Sequence, residues 1–242
     1  MGAPFPTETD YPADTFRPDL RPECRVGCAK AYFRTNFVAR RIYRKRVEIA
    51  FDLISDRQWD RGLDAGTGAG FLLPALASRC REVNGVDLAP VTQYTQGMLD
   101  KRGIRNVKLA QADLLHLPFP DQAFELVVCL SVIEHIPDPM AAIIEMARVL
   151  RDDGVLILGY PPENRIFTSL ETLTHLELRL RRLIRGQQVV PRGKPFRPHV
   201  SNRRDLEKSL EKILKVESER DIRIIRSAVY RILKLRKRIA EP

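Results

Sequence analysis

Hydrophobic and polar residues follow two different periods along the middle of this chain. Short, nearly continuous apolar runs predict buried strands, and the amphipathic segments between them predict helices. The predicted strands are 62–65, 83–87, 107–110, 124–131 and 155–160, and the predicted helices are 71–81, 91–102 and 139–150. Because strands and helices alternate, the pattern predicts an α/β fold with a doubly wound, mostly parallel sheet.

The chain before this core divides into two parts. Residues 1–28 contain several prolines and no periodic pattern, which predicts a poorly ordered or extended lead-in. Residues 29–55 carry apolar residues at three- and four-residue spacings, which predicts a helix. Its segment 40–46, Arg-Arg-Ile-Tyr-Arg-Lys-Arg, would make one face strongly basic. That face is either solvated or a contact for a phosphate or an acidic substrate.

The chain after the core is expected to belong to the same unit. With a core over 60–164, residues 166–200 form a predicted basic helical insertion on the substrate side, and 201–242 a C-terminal extension. A length of 242 residues fits one domain, which we place at 29–242. The elements predicted in the extension are a helix over 202–212, a strand over 214–222, and either a helix or a strand followed by a helix over 224–239.

The net charge of +10 is unevenly distributed. Residues 1–60 carry +2, residues 61–164 carry −4 and residues 165–242 carry +12. Three interpretations of the basic last third stay open. It lines a pocket for an anionic or lipid-like small molecule, with the terminal segment on a membrane surface; it is an ordinary solvated face; or it follows a nucleic-acid backbone. Few aromatic residues for base stacking make nucleic acid less favoured.

Several classes of protein are disfavoured by the sequence. No apolar run is long enough to cross a bilayer, and the N-terminus has prolines and acids in place of an apolar signal core, so we expect a cytoplasmic protein. Cys24 and Cys28 form an isolated pair that completes neither a metal site nor a disulfide framework. Cys80 and Cys129 lie in apolar runs and are expected to be core thiols.

The first predicted strand leads into a glycine turn, residues 63–70, which read Leu-Asp-Ala-Gly-Thr-Gly-Ala-Gly. The three alternating glycines, Gly66, Gly68 and Gly70, let the backbone bend sharply and approach a ligand closely. The start of the next helix would add free N–H groups and a positive dipole end. This G-x-G-x-G pattern is weak evidence by itself, and a purely structural turn remains an alternative.

Polar residues also follow the later strands in order. Asp87 comes after the second strand, about 20 residues beyond the turn, where a carboxylate accepts hydrogen bonds from a ribose. Leu88 beside it could pack on an adenine, and Asp113 after the third strand could accept from the adenine amine. Residues 131–135 follow the fourth strand. Because ligands bind at the carboxyl ends of parallel strands, these positions predict a nucleoside site.

The chain resembles the class I S-adenosylmethionine-dependent methyltransferases, in particular the methyltransferase type 11 group that includes quinone-biosynthesis methyltransferases. The resemblance covers roughly residues 40–165 and rests on LDAGTGAG, GVDLAP, QADLLHLPFPDQAFELVVCLSVIEHIPDP and ARVLRDDGVLILGYPP. It implies a Rossmann-like fold and S-adenosylmethionine as cofactor. This cofactor has no pyrophosphate to cradle, and its sulfonium suits a mildly acidic site.

The resemblance also implies a division of the cofactor site. Asp64 and the turn glycines would surround the methionine portion, Asp87 would hold the ribose, and Asp113 with Leu114 would flank the adenine. The residues expected to line the site are Asp64, Ala65, Gly66, Thr67, Gly68, Gly70, Asp87, Leu88, Ala112, Asp113, Leu114, Leu130 and Ser131.

Methyl transfer is an in-line displacement that needs alignment and, where the nucleophile must lose a proton, a base. His135 is the best base candidate and Glu134 a weaker one, although His135 could instead be structural. In similar enzymes a histidine before a capped helix closes over the acceptor pocket, and His199 fits that position. Some relatives bind a metal through E-x-x-E-H; Ser131 replaces the first acid here, so no metal is predicted.

The expected function is methyl transfer to a small-molecule acceptor, such as a quinone, lipid, sugar or natural product. An RNA methyltransferase that uses the basic last third is an alternative, as is an S-adenosylmethionine-binding protein without turnover.

Overall fold

The structure is a computed structural model and describes residues 5–11, 33, 37–54, 57–88, 92–162, 203–224 and 227–238. Within these residues, the chain forms one sheet of seven strands in the order β3-β2-β1-β4-β5-β7-β6. Strands β1 to β5 are parallel, whereas β7 is antiparallel to β5 and β6, which confirms the mostly parallel sheet. The strands are β1 (Trp59–Ala65), β2 (Cys80–Asp87), β3 (Val107–Gln111), β4 (Phe124–Leu130), β5 (Leu150–Tyr160), β6 (Leu214–Ile224) and β7 (Ser227–Lys237).

Helices cover both faces of this sheet and bury a core on each. Leu126 and Val128 of β4 face one core, while Val127 and Cys129 face the other, and all four are fully buried. This double burial explains the continuous apolar run in β4. The first core is covered by α1 (Phe37–Ile54), α2 (Leu73–Ala77) and α3 (Thr92–Lys101), and the second by α4 (Pro139–Val149) and α5 (Arg203–Ile213).

The strand order reverses beside β1. Gly62 of β1 pairs with Val83 of β2 on one side and with Leu126 of β4 on the other. From β1 the chain proceeds outward to β2 and β3, and then returns to place β4 on the opposite side. In such sheets the carboxyl ends of the two central strands flank a crevice where ligands bind. A ligand-binding site is therefore expected in this crevice.

Helix α2 is shorter than the 71–81 predicted from the apolar pattern. The side-chain amide of Asn106 donates to the carbonyl oxygens of Ala77 at 2.9 Å and of Cys80 at 3.0 Å, and so satisfies backbone acceptors where the helix ends. Cys80 then pairs with Trp59 as the first residue of β2. The helical prediction for Cys80 and Arg81 is therefore wrong, because buried parallel pairing overrides their local pattern.

The C-terminal segment predicted as a helix, or as a strand followed by a helix, is a single strand through Lys237. In β7, Tyr230 and Ile232 face the first core, while Leu233 and Leu235 face the second. Since both faces are covered, the apolar residues do not alternate, and the sequence reads like a helix. The insertion predicted over 166–200 lies outside the described residues.

Part of the predicted lead-in is ordered, which corrects the expectation for residues 5–11. A short 3₁₀ helix spans Glu8–Asp10, and Asp10 accepts a 2.9 Å hydrogen bond from Arg102 at the end of α3. The ring of Phe5 stacks on Phe71, with centroids 5.9 Å apart. Tyr11 is buried beside the glycine turn. The segment therefore bridges the C-terminal end of α3 and the glycine turn.

Two further expectations concern the thiols and the membrane. Cys80 and Cys129 are free and buried, as predicted for core thiols, while Cys24 and Cys28 lie outside the described residues. None of the helices in the described part of the chain combines the length and apolar composition that crossing a bilayer requires.

Candidate functional site

The glycine turn follows β1 at the crevice. Gly66, Gly68 and Gly70 have φ values of 84°, 51° and 69°, in the region that side-chain-bearing residues avoid. A Cβ on Gly66 would overlap the side chain of Val132, and one on Gly70 would overlap Thr95. Glycine is therefore required at Gly66 and Gly70 by both torsion and space.

The turn offers fewer free N–H groups than the sequence suggests. The amides of Gly66 and Thr67 both donate to the carbonyl oxygen of Val86, at 2.8 and 2.9 Å. Gly68 donates to the carboxylate of Asp87 at 2.8 Å, and Gly70 donates to the carbonyl of Thr67. These donors hold the turn against β2. The turn is thus a preformed wall of the crevice, and these four amides are already engaged within the protein.

Asp64 lies at the end of β1, beneath this turn. Its side chain is buried and accepts a 2.6 Å hydrogen bond from the Thr67 hydroxyl. Burial raises the pKa of Asp64 to about 7; the hydrogen bond from Thr67 opposes this rise, and the charge of Asp87 adds to it. A carboxylate in such a place is stabilised by an added positive charge.

The predicted ribose and adenine positions lie side by side at the ends of β2 and β3. Asp87 is half-buried and Leu88 is 66% exposed. The backbone of Ala112 donates to the Asp87 carbonyl at 3.0 Å. Asp113 is exposed and accepts from the Leu115 amide at 2.9 Å, so part of its carboxylate is used to shape the loop. The neighbouring Ala65 and Leu114 are buried, and Leu130 is half-buried.

Ser131 follows β4 in a left-handed conformation, with φ 58°. Its amide donates to the carbonyl of Gly159 at 2.7 Å. Its hydroxyl oxygen is hydrogen-bonded to the Arg46 guanidinium and lies 2.7 Å from the hydroxyl oxygen of Tyr230. Three elements therefore converge on Ser131: β4, helix α1 and strand β7.

Gly159 is what lets Tyr230 reach Ser131. A Cβ on Gly159 would lie 2.9 Å from the Tyr230 hydroxyl and 3.0 Å from its ring. The tyrosine thus crosses the end of β5 where a side chain would stand. Tyr230 was not identified from the sequence, and its only signal was an aromatic residue within a basic, apolar segment.

The basic cluster 40–46 contains both exposed side chains and one buried arginine, Arg46. Arg41, Arg44 and Lys45 are exposed, as in a solvated face. Arg46 is only 6% exposed, and its guanidinium lies 4.5 Å from the centre of the Tyr43 ring. The sequence left open whether this face is solvated or a contact surface, and among the described side chains of the cluster Arg46 is hydrogen-bonded to Ser131.

The two predicted proton-transfer residues lie in a 3₁₀ turn, Ile133–His135, just beyond Ser131. Glu134 is buried, and its carboxylate oxygen lies 3.9 Å from Nε2 of His135. The pKa of the Cys129 thiol is raised well above its usual value by burial and by the charges of Glu134 and Asp64. Both carboxylates therefore lie near this thiol. His199 lies outside the described residues, and the three proposed roles stay predictions.

Comparisons with known proteins agree with this geometry. Residues 63–158 match the family model described as Methyltransferase domain. The chain is 35% identical over 119 residues to the protein named Uncharacterized methyltransferase YcgJ of Bacillus subtilis, covering 48% of this chain and 46% of that protein. It is 36% identical over 117 residues to a demethylmenaquinone methyltransferase of Thermus thermophilus, covering 47% and 53% respectively. The chain spans about half the length of these curated relatives.

A solved structure extends the likeness of the fold over most of the chain. Magnesium protoporphyrin IX methyltransferase from Synechocystis PCC 6803, with bound S-adenosylhomocysteine, superposes with a TM-score of 0.63 at 22% identity. The superposition covers 87% of this chain and 93% of that one. At this identity the likeness is one of fold.

Proposed function

We propose that this chain, whose residues 63–158 form a class I S-adenosylmethionine-dependent methyltransferase domain, transfers a methyl group to a small-molecule acceptor. One observation carries the proposal. The buried carboxylate of Asp64 and the half-buried carboxylate of Asp87 lie on either side of a preformed turn, at the carboxyl ends of the neighbouring strands β1 and β2.

The cofactor of the domain is S-adenosylmethionine, and the described residues suit its parts. Burial and the neighbouring Asp87 hold Asp64 at a pKa of about 7, so a cationic ligand would relieve the cost of ionising it. Asp87 is half-buried and accepts from Gly68, and a carboxylate has two oxygens that accept several hydrogen bonds, which suits ribose hydroxyls. Leu88, which follows Asp87, presents an exposed apolar surface, as an adenine face requires.

The bound cofactor supplies an electrophilic methyl group on sulfur, and the protein's part is alignment. The glycine turn and Val132 stand in contact, so the loop after β4 is packed directly onto the cofactor side. His135, with its side chain 36% exposed beside Glu134, is the group best placed to accept a proton from an acceptor hydroxyl or amine.

Ion pairs within the described part of the basic last third favour a small acceptor over a nucleic-acid backbone. Arg231 pairs with Asp221 at 3.0 Å and with Glu207 at 3.0 Å, joining β6, β7 and α5. Arg236 pairs with Glu217 at 2.9 Å. Charges engaged in this way hold the fold together and contribute less to an extended positive track.

The experiment is a transfer assay with methyl-tritiated S-adenosylmethionine and a cell extract separated into small-molecule, lipid and RNA fractions. We expect label in the small-molecule or lipid fraction. Label in RNA that ribonuclease removes would favour the nucleic-acid alternative. Tight cofactor binding with no transfer in any fraction would favour a binding protein without turnover.

Cofactor binding itself is tested by Asp87→Asn, which keeps an oxygen acceptor for Gly68 but removes the charge. We expect S-adenosylmethionine affinity to fall by ~1–3 kcal/mol, because hydrogen bonds to a charged group are lost. Asp100→Asn removes an exposed carboxylate of α3 and is the matched control. Equal affinities for the two variants by calorimetry would contradict the assignment of Asp87.

A further inference from the structure

We propose that Arg46, Ser131 and Tyr230 form a subsite for an oxyanion, a carboxylate or a phosphate, carried by the methyl acceptor. The inference rests on the proposed function, because it names the chemical class of the acceptor. We call these three residues the oxyanion subsite. They come from α1, from the end of β4 and from β7, and their side chains meet at one point.

Position is the first argument. Val132 follows Ser131 directly and fills the space that a side chain on Gly66 would occupy. The oxyanion subsite is therefore separated from the cofactor turn by one residue of the loop. An acceptor group held at Ser131 would lie beside the predicted methionine end of the cofactor site, and on the same loop as His135.

The chemistry of Arg46 is the second argument. A guanidinium stays charged at all relevant pH values and presents five N–H donors in a plane, a geometry that matches two oxygens of a carboxylate or phosphate. Arginine is seldom as buried as Arg46, which is 6% exposed. The guanidinium carbon of Arg46 lies 4.5 Å from the centre of the Tyr43 ring and 5.5 Å from the centre of the Tyr230 ring, so two aromatic rings contribute to its position.

The hydroxyl groups supply the third argument. Either oxygen of the Ser131–Tyr230 pair can be the donor, and hydroxyl groups are suitable hydrogen-bond donors to an oxyanion. Ser131 keeps a left-handed backbone, which is costly for a residue with a side chain and concentrates at functional positions. Ser131 and Tyr43 are half-buried, which leaves the oxyanion subsite approachable from their side.

The first test uses matched small probes on the protein loaded with S-adenosylhomocysteine. Benzoate and benzamide have the same shape and differ in charge, and phenyl phosphate separates phosphate from carboxylate. We expect one of the two anions to bind at least about tenfold more tightly than benzamide by calorimetry. This ratio corresponds to a difference of ~1.4 kcal/mol in binding free energy. The stronger anion identifies the oxyanion. Equal binding of all three, or none, would overturn the proposal.

Variants assign the binding to these residues. Arg46→Gln should remove the preference for the anion, Arg46→Lys should retain part of it, and Tyr230→Phe should weaken it. Arg44→Gln, an exposed position of the same helix, is the control and should leave it unchanged. S-adenosylhomocysteine affinity is measured in every variant to show that the cofactor side is intact. Anion binding that survives Arg46→Gln would contradict the assignment.

A second measurement needs no variant to fold. The labelled product of the transfer assay is passed over an anion exchanger at pH 8, with the unlabelled acceptor fraction alongside. Acceptor activity that the resin retains supports the oxyanion subsite. A neutral acceptor would overturn the oxyanion subsite but leave methyl transfer established. Absence of any labelled product would count against the proposed function. In that case the binding of the three probes decides the oxyanion subsite.

Discussion

The Thr67 hydroxyl donates a 2.6 Å hydrogen bond to the Asp64 carboxylate, and both side chains are buried beneath the glycine turn. This bond opposes the effect of burial, which still raises the pKa of Asp64 to about 7. The carboxyl group therefore changes charge close to neutral pH. Both cofactor affinity and folding stability should therefore depend on the ionisation of Asp64.

Cofactor affinity should depend on pH through Asp64. Above pH 7 the carboxylate is ionised and attracts a cationic ligand; below pH 7 it takes up a proton and loses that attraction. We expect the dissociation constant of S-adenosylmethionine to rise up to about tenfold per pH unit as the pH falls from 7 to 6. Calorimetry at pH 6 to 8.5 measures this. In Asp64→Asn binding should be weak and independent of pH, and a pH slope that persists there would assign it elsewhere.

The same substitution should stabilise the protein without cofactor. A carboxyl whose pKa is raised from 3.8 to about 7 favours folding at low pH, and this contribution is lost as the pH rises between those values. Asp64→Asn keeps an acceptor for Thr67 and removes the ionisation. We expect it to raise the free energy of unfolding by up to ~4 kcal/mol at pH 8, and by less than half as much at pH 5. Urea unfolding at both pH values tests this, and a loss of stability at pH 8 would contradict it.

Gly66→Ala should damage both stability and cofactor binding. The new Cβ would be held at φ 84° and would overlap Val132. Gly103→Ala is a matched control, because Gly103 has φ 67° and nothing within 4 Å of its Cβ position. We expect ~1 kcal/mol of destabilisation for the control, from torsion alone, and more for Gly66→Ala.

A double variant separates the overlap from the torsion. Adding Val132→Ala to Gly66→Ala should recover part of the lost stability, whereas Val132→Ala added to Gly103→Ala should only add its own cost. Purely additive effects in both backgrounds would mean that the contact between Gly66 and Val132 is unimportant.

Tyr11→Phe should loosen the N-terminal segment from the turn. The Tyr11 hydroxyl donates to the Ala69 carbonyl at 2.8 Å, and that contact is buried. Its removal leaves a buried acceptor with one partner fewer, which should cost ~1 kcal/mol in unfolding free energy and also weaken cofactor binding. Thr9→Ala removes an exposed hydroxyl of the same segment and should change stability by less than ~0.5 kcal/mol. Equal effects of the two variants in urea unfolding and calorimetry would contradict this role of Tyr11.

The sequence by itself determined the positions that we propose for the donor half of the site. Gly66 and Asp87 are readable because their signals are local: a glycine pattern marks backbone torsions, and a strand end marks a position at the edge of a parallel sheet. The alternation of strands and helices likewise predicts a doubly wound, mostly parallel sheet through general rules of connection. None of these inferences needs a contact between distant residues to be known.

Only the tertiary structure brought together the residues that we propose for the acceptor half. Arg46 and Tyr230 lie 85 and 99 residues from Ser131 in the sequence, and no periodic pattern indicates that they meet. Tyr11 reaches the turn from a stretch whose prolines predict disorder. In β7 apolar residues on both faces conceal the strand period. Local propensity determines whether a segment forms a helix or a strand and which of its residues face the core. Whether side chains from separate elements meet depends on how the whole core packs.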